Sequence, residues 1–452
     1  MALKNIKAER LLKLPPYMFA DFDHKRDLVK AKCNDLIDLS VGDPDIPPSA
    51  RLKRYFCEAL DEPNIHRYPP YKGTRQFCHA IAHWYKQKGI RINPDNEALC
   101  LLGSKEGLSH LVMALVNPGQ AVLLPNPYFP SYLSAIIMSG GIPVDMPLLK
   151  ENDFLPDLKA IKPSVARRAK LMLLNYPNNP TSADAPEEFY EEAVWFARKY
   201  GIVICQDAAY QEMYFKRPAA SILSIKGAKD VAIETNSFSK IFNIAGWRIG
   251  WAAGNSSVIQ ALGQIKMNID SGAFIAIQRA VSRMFLENTN ATQKEIAQTR
   301  AAYKHRQDIM VRGLRQIGLD PVAPDGTCFI WLPLPKRWSA NGGSPPEGVA
   351  PQGEPRLRRD ARPNDGASGG NSSLEFCEYL LTKLHIHTTP GIGFGKYGEG
   401  YIRISLTSPE SVLQQAIKRM AVLCPDENNG TSLSASHSVA RSSRKWRCKG
   451  RA

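Results

Sequence analysis

The sequence predicts an α/β protein: a mainly parallel sheet flanked by helices, joined to a smaller α+β part. First, short apolar runs alternate with helical stretches from Leu101 to Ala253; they are Ala121–Leu124, Leu171–Leu174, Ile202–Cys205 and Val231–Glu234. Continuous apolar strands joined by helices are what a mainly parallel sheet, covered on both faces, requires. Second, Pro186–Tyr200 (PEEFYEEAVWFARKY) carries its acids early and its bases late, as a helix dipole prefers. Third, the character changes after Ser282. A long polar helix over Lys294–Ile317 leads to a short strand at Cys328–Leu332, a helix near Leu374–Leu384 and the segment Tyr401–Leu406.

A chain of 452 residues suits two domains. The larger is expected over 46–285. The smaller is expected over 286–424, with residues 1–45 packed on it. Residues 336–372 are rich in Gly, Pro, Ser and Arg and read as a disordered surface insertion. Residues 425–452 read as a disordered basic tail. Much of the net charge of +15 sits in these two stretches, for example at Arg356, Arg358, Arg441 and Arg447. The charge is therefore read as solvated segments and not as a nucleic-acid footprint. Nine scattered cysteines without a CxxC pair argue against a disulfide framework or a zinc site and fit a reducing cytoplasm. No run of 18 apolar residues predicts a membrane span, and the Lys/Leu pattern near the N-terminus reads as a short docking helix.

Chemistry concentrates in Glu234–Gly254, ETNSFSKIFNIAGWRIGWAAG. The plain reading of Lys240 is a surface lysine on a loop. Against it stand hydroxyls at Ser237 and Ser239 and a guanidinium at Arg248. These set an amine nucleophile beside groups able to hold a phosphate dianion, and spacing alone does not choose between the readings. In CQDAAY, Asp207 ends an apolar strand, where a carboxylate is more often a cap or turn residue. LNYPNNPTSA reads equally as a plain Asn–Pro loop. LLGSKEGLSH is a Gly–Ser turn entering a helix, whose free N–H groups could meet an anion but which is by default a helix start. Arg403, in Tyr401–Ser405, would alone be a surface cation.

Together and in this order, these segments resemble the fold-type I, class I/II aminotransferases, which depend on pyridoxal 5'-phosphate (PLP). The resemblance runs from Gly42 to Arg403 and implies the PLP-dependent transferase fold type I. It implies that Lys240 is the catalytic residue, holding the cofactor as an imine and carrying the proton between Cα and the cofactor carbon. Ser104, Lys105, Ser237, Ser239 and Arg248 would hold the phosphate. Asp207, which lies 33 residues before Lys240 as in the family, would pair with the ring nitrogen and keep it protonated. Tyr210 and Asn179 would donate to the phenolic oxygen, with Asn179 also beside the substrate. Phe129 stands where the family commonly has Tyr, keeping the π face for stacking and losing the hydroxyl. Gly42, in LSVGDPD, would lie beside the substrate carboxylate. Arg403 would bind that carboxylate with two parallel hydrogen bonds, which lysine cannot make. Tyr68, in HRYPPYKGTR, would reach the neighbouring subunit's cofactor, which makes a homodimer with shared active sites. A second residue departs from the pattern: Ser182 replaces the usual Gly and is strained if φ there is positive.

Within the family, AERLLKLPPYMFA, HRYPPYKGTRQF, QDAAYQEM and IKMNIDSGAFIAIQRA are most similar to the LL-diaminopimelate aminotransferases. This implies amino transfer from glutamate to tetrahydrodipicolinate in lysine biosynthesis, by ping-pong half-reactions on amino-acid and 2-oxo-acid substrates. Aspartate, alanine and aromatic aminotransferases and C–S lyases of the same fold share the cofactor motifs and stay open. A non-enzymatic PLP-binding regulator is the other rival, though no helix-turn-helix segment is evident. No metal, membrane or nucleic acid is expected as a partner.

Overall fold

The computed structural model describes residues 6–15, 18–335, 338 and 372–423. The described strands, in chain order, are β1 (Ile37–Asp38), β2 (Ala98–Leu101), β3 (Ala121–Asn126), β4 (Ile142–Pro147), β5 (Ala169–Asn175), β6 (Val203–Asp207), β7 (Ala232–Ser237), β8 (Gly250–Gly254), β9 (Phe329–Pro333), β10 (Ile386–His387), β11 (Thr389–Pro390) and β12 (Tyr401–Ser405). Seven form one sheet in the order β2-β8-β7-β6-β5-β3-β4. From β4 to β7 the pairing is parallel, and β8 and β2 run antiparallel at one end. Its register sets Asn175 opposite Asp207 and Asp207 opposite Thr235, so the carboxyl ends of the parallel strands finish on one edge.

The four predicted runs are strands of this sheet, and their side chains alternate between two cores. Leu123, Met172, Leu174 and Ile204 join one; Val122, Leu124, Leu171, Leu173 and Cys205 join the other. This period of two, with both faces apolar, is why the runs read as continuous. The strand β8 escapes that pattern because GWAAG has no β-branched residue. It is buried throughout, and a Cβ on Gly250 would meet Asn236 O at 2.6 Å. The helix Glu187–Tyr200 has Glu187 and Glu188 in its first turn, Arg198 and Lys199 in its last, and Gly201 closing it at φ 69°. The long helix begins upstream of the expected start, at Thr289, because Asn288 caps it through the N–H of Ala291.

A third core gathers Phe22, Ile37 and Leu39 with Met310, Leu314, Ile330, Leu380 and Ile404. Over it lie the antiparallel sheet β11-β12-β9 and the parallel pair β1-β10. The short helix Glu9–Leu12 buries none of its residues, and Arg10 and Lys13 lie beside Ile137–Gly141. The expected insertion and tail fall outside the described residues except at two points. Trp338 is buried, with ring centroids 5.1 Å from Phe376 and 5.4 Å from Tyr379. Ser372 opens the helix Ser372–Lys383 and bonds Glu399 at 2.7 Å. Both therefore belong to the folded part and not to the insertion. Among the described residues no helix is long and apolar enough to cross a membrane.

Candidate active site

The loops leaving β3, β5, β6 and β7 enclose a cavity of about 390 Å³. Open α/β sheets place ligands at this carboxyl edge. Gly42, Ser104, Lys105, Phe129, Asn179, Asp207, Tyr210, Ser237, Ser239, Lys240, Arg248 and Arg403 all line it. Tyr68 is the exception: it is 87% exposed and lies outside the cavity.

Asp207 ends β6 and is buried. Tyr132 Oη donates to it at 2.6 Å and the N–H of Ala209 at 3.2 Å. Burial nevertheless pushes its carboxyl up to about 6. Lys240 sits in the short helix Phe238–Ile241, directly after β7, and its Nζ donates to Gly42 O. The Tyr210 ring lies 5.9 Å from Nζ. Burial pulls the Lys240 amine below its ordinary range, more than the carboxylate of Asp43 raises it.

One end of the cavity is a set of donors. The helix Ser104–Leu115 begins here, and its first N–H groups have no partner within the helix. Arg248 holds a left-handed backbone, φ 54°, with Nη1 on Ala245 O at 2.8 Å. Two glycines make the close approach possible. A Cβ on Gly103 would meet Arg248 Nη2 at 2.5 Å, and one on Gly250 would meet Ser104 N at 3.1 Å. Helix N–H groups, the hydroxyls of Ser104, Ser237 and Ser239, and a guanidinium are the donors a phosphate dianion calls for.

The other end belongs to Arg403, buried on β12. It donates to Asn179 Oδ1 at 2.8 Å and to Ser40 O at 2.6 Å, and its plane lies 4.1 Å from the Phe329 centroid and 4.9 Å from that of Phe394. Asn179 is set by Asn175, which accepts its N–H at 2.8 Å and donates to Asp207 O at 2.8 Å. Ser182 does adopt a positive φ, 63°. Its hydroxyl lies 2.8 Å from Thr327 Oγ1 and donates to Phe329 O at 3.0 Å, which offsets the strain that Gly would avoid.

Sequence reasoning missed Tyr132 and Asn175, which hold Asp207, and His387 and Thr389, which line the cavity. Tyr132 stood in the LPNPYFPSY string three residues after Phe129, and the two rings meet edge to face at 5.7 Å. His387 sits opposite Asp38 in the β1–β10 pair. Against the burial that would raise it, hydrogen bonds from His387 and Ser40 hold Asp38 at about 2. Nothing in the spacing of β1 and β10 signals this pairing.

Sheet, cavity and donor set together define a PLP-dependent transferase of fold type I. Residues 34–420 match the family described as aminotransferase class I and II, and the chain belongs to that family, whose members depend on PLP. It is 41% identical over 421 residues to an LL-diaminopimelate aminotransferase of Syntrophobacter fumaroxidans, covering 92% of this chain and 99% of that one. It is 40% identical over 415 residues to that of Aquifex aeolicus, covering 91% and 98%. Among solved structures it is similar to substrate-bound BacF of Bacillus subtilis, with a TM-score of 0.80 and 34% identity over 93% of this chain and 98% of that one. A probable N-succinyldiaminopimelate aminotransferase of Thermus thermophilus gives a TM-score of 0.76 at 32% identity, covering 89% and 99%.

Proposed function

We propose that this aminotransferase moves an amino group between LL-diaminopimelate and 2-oxoglutarate, as a cytoplasmic homodimer. The substrate reading is supported by identities of 40–41% to several relatives of that name over 91–92% of the chain. The observation that carries the chemistry is the Lys240 amine, enclosed without a carboxylate at ion-pair distance among the described residues, in one cavity with the buried Asp207. PLP, when bound, supplies an aldehyde that takes up an amino group and a ring that takes up the electrons of Cα.

The chain's own groups do the rest. The hydroxyls of Ser104, Ser237 and Ser239, the Lys105 side chain and Arg248 bind the phosphate. Asp207, ionised against a protonated ring nitrogen and held by Tyr132, keeps that nitrogen cationic. Tyr210 and the Asn179 amide donate at the phenolic oxygen; Arg403 already occupies Asn179 Oδ1, so the NH2 is the group left to donate. Phe129, which lines the cavity, would lie against the ring. Lys240, its amine held below its ordinary range by burial, would accept the proton from Cα and return it. Arg403 binds the substrate carboxylate beside Gly42, with Phe329 and Phe394 keeping water off its faces. Tyr68, exposed on this chain, would reach the cofactor of the partner subunit. Among the described residues, those within 46–285 form the cofactor part, and those within 1–45 and 286–424, outside the insertion, the smaller part that brings Gly42 and Arg403 to it.

The test is LL-diaminopimelate consumption by the purified protein, with and without 2-oxoglutarate, beside aspartate, alanine, aromatic and sulfur amino donors. Turnover of LL-diaminopimelate that requires 2-oxoglutarate is expected. Preference for another donor, or release of lyase products without amino transfer, overturns this reading.

A further inference from the structure

Among the described residues, two groups of metal-ligand side chains stand outside the active site. The first is Glu106, His110 and Asp270. There the place of a cation is taken by Lys266 Nζ, fully buried at 3.1 Å from Glu106 and 2.9 Å from Asp270. The second is Cys33, Asp35 and His385, with no ammonium among them. Cys33 Sγ lies 2.5 Å from Asp35 Oδ1 and 3.1 Å from His385 Nδ1, and Nδ1 lies 3.2 Å from Oδ1.

We propose that Cys33, Asp35 and His385 bind one thiophilic divalent cation, zinc or a metal like it, which staples the segment before β1 to the turn before β10. Zinc bonds of about 2.3 Å to sulfur and 2.0–2.2 Å to nitrogen and oxygen put neighbouring ligand atoms roughly 3.3–3.6 Å apart in a tetrahedral site. Two of the three separations are within a few tenths of an ångström of that. The third opens when the ion replaces the thiol proton, and Asp35, on an exposed turn, can supply the movement. A thiolate, an imidazole and a carboxylate select a borderline-soft ion and not magnesium or calcium, which take oxygen ligands.

The surroundings hold the ligands in place. Arg419 donates to Asp35 Oδ2 at 2.7 Å and to the carbonyls of Asp35 and His385 at 2.9 and 3.2 Å, so one guanidinium grips both halves of the site. His385 has a left-handed backbone, φ 52°, strain of the kind stored at functional residues, and its carbonyl accepts the N–H of Ile37 at 2.9 Å. The fourth position faces solvent and takes water. The positive charge of Arg419 makes the site weaker than a closed four-ligand one. Binding releases one proton, from Cys33, and involves no redox change. The stapled segment runs on into Ser40 and Gly42, which accept from Arg403 and Lys240.

Cobalt(II), a coloured stand-in for zinc, tests this on the full-length PLP-loaded protein. One cobalt per chain is expected, with a thiolate-to-cobalt band in the near ultraviolet, release of one proton and a raised Tm. Cys33→Ser should abolish the band while turnover stays. His385→Asn, chosen because Asn tolerates the left-handed backbone, should weaken binding by roughly tenfold or more. Saturating cobalt without a thiolate band overturns the proposal. So does a band unchanged in Cys33→Ser, which would place the metal on another thiol such as the exposed Cys57, or affinity unchanged in His385→Asn.

Discussion

Lys266 and Lys240 are both drawn out of water on helices flanking the same sheet, and their surroundings differ. Lys266 is fully enclosed between Glu106 and Asp270. Glu106 also accepts the N–H of Leu102 at 2.9 Å, and Asp270 that of Gly272 at 2.8 Å, so the ammonium ties the entry of the helix Ser104–Leu115 to a distant turn. Lys240 opens onto the cavity, where among the described residues its Nζ meets the Gly42 carbonyl and the Tyr210 ring and no carboxylate at ion-pair distance, and burial draws its amine down. A buried ammonium that is paired becomes a strut. One that is unpaired and faces a cavity becomes a reagent.

The largest effect expected is on Lys240. Lys240→Ala should lower kcat by roughly 10,000-fold or more, since attachment and proton transfer both go; steady-state rates check this, with Tm near wild type. Lys266→Met should do the reverse. It takes the buried ammonium away from two half-buried carboxylates, Glu106 and Asp270, and should lose up to about 3–5 kcal/mol in denaturant unfolding, with part regained on adding Glu106→Gln and Asp270→Asn.

The carboxylates sharpen the contrast. Asp207 faces the cavity, whereas Glu234 on the next strand is sealed among Tyr85, at 2.7 Å, and Ser221. Asp207→Asn should cost roughly 100- to 1,000-fold in kcat. Glu234→Gln should cost about 1–3 kcal/mol of stability and leave kcat within a few-fold.

A smaller effect follows from pH. The Asp207 carboxyl, near 6 in the fold and about 3.9 unfolded, binds its proton more tightly when folded. Stability of the PLP-free protein should therefore fall as pH rises from about 4 to 6, by roughly 3 kcal/mol from this group, and then level off. Asp184 is also pushed up to about 6, so unfolding of Asp207→Asn alongside wild type isolates the Asp207 part. Smallest is Ser182. Ser182→Ala keeps the strain and loses the hydrogen bonds, for about 1–2 kcal/mol by thermal unfolding, while Ser182→Gly should stay within about 1 kcal/mol of wild type.

The same contrast governs what could be read from the chain. Asp207 and Lys240 were legible because one ends an apolar strand and the other follows one closely, 33 residues on, in segments that resemble the family's motifs. The parallel strands were legible because both their faces are apolar. Strand direction was not, since an apolar run reads alike either way, and β8 lies antiparallel. Tyr132 meets Asp207 across 75 residues through the register of three strands. Ser182 was recognisable as a strained position, but its relief by Thr327, 145 residues on, was not. Cys33 and His385 are separated by 352 residues and have no spacing rule to announce them. Tyr68 finds no role within one chain.

Of the lysines of this chain, Lys240 is the one expected to hold PLP. Borohydride reduction of the PLP-loaded protein, followed by peptide mass mapping, tests it most directly. A single pyridoxyl adduct on Lys240 is predicted. An adduct on another lysine, or none on a protein that has bound the cofactor, would contradict it.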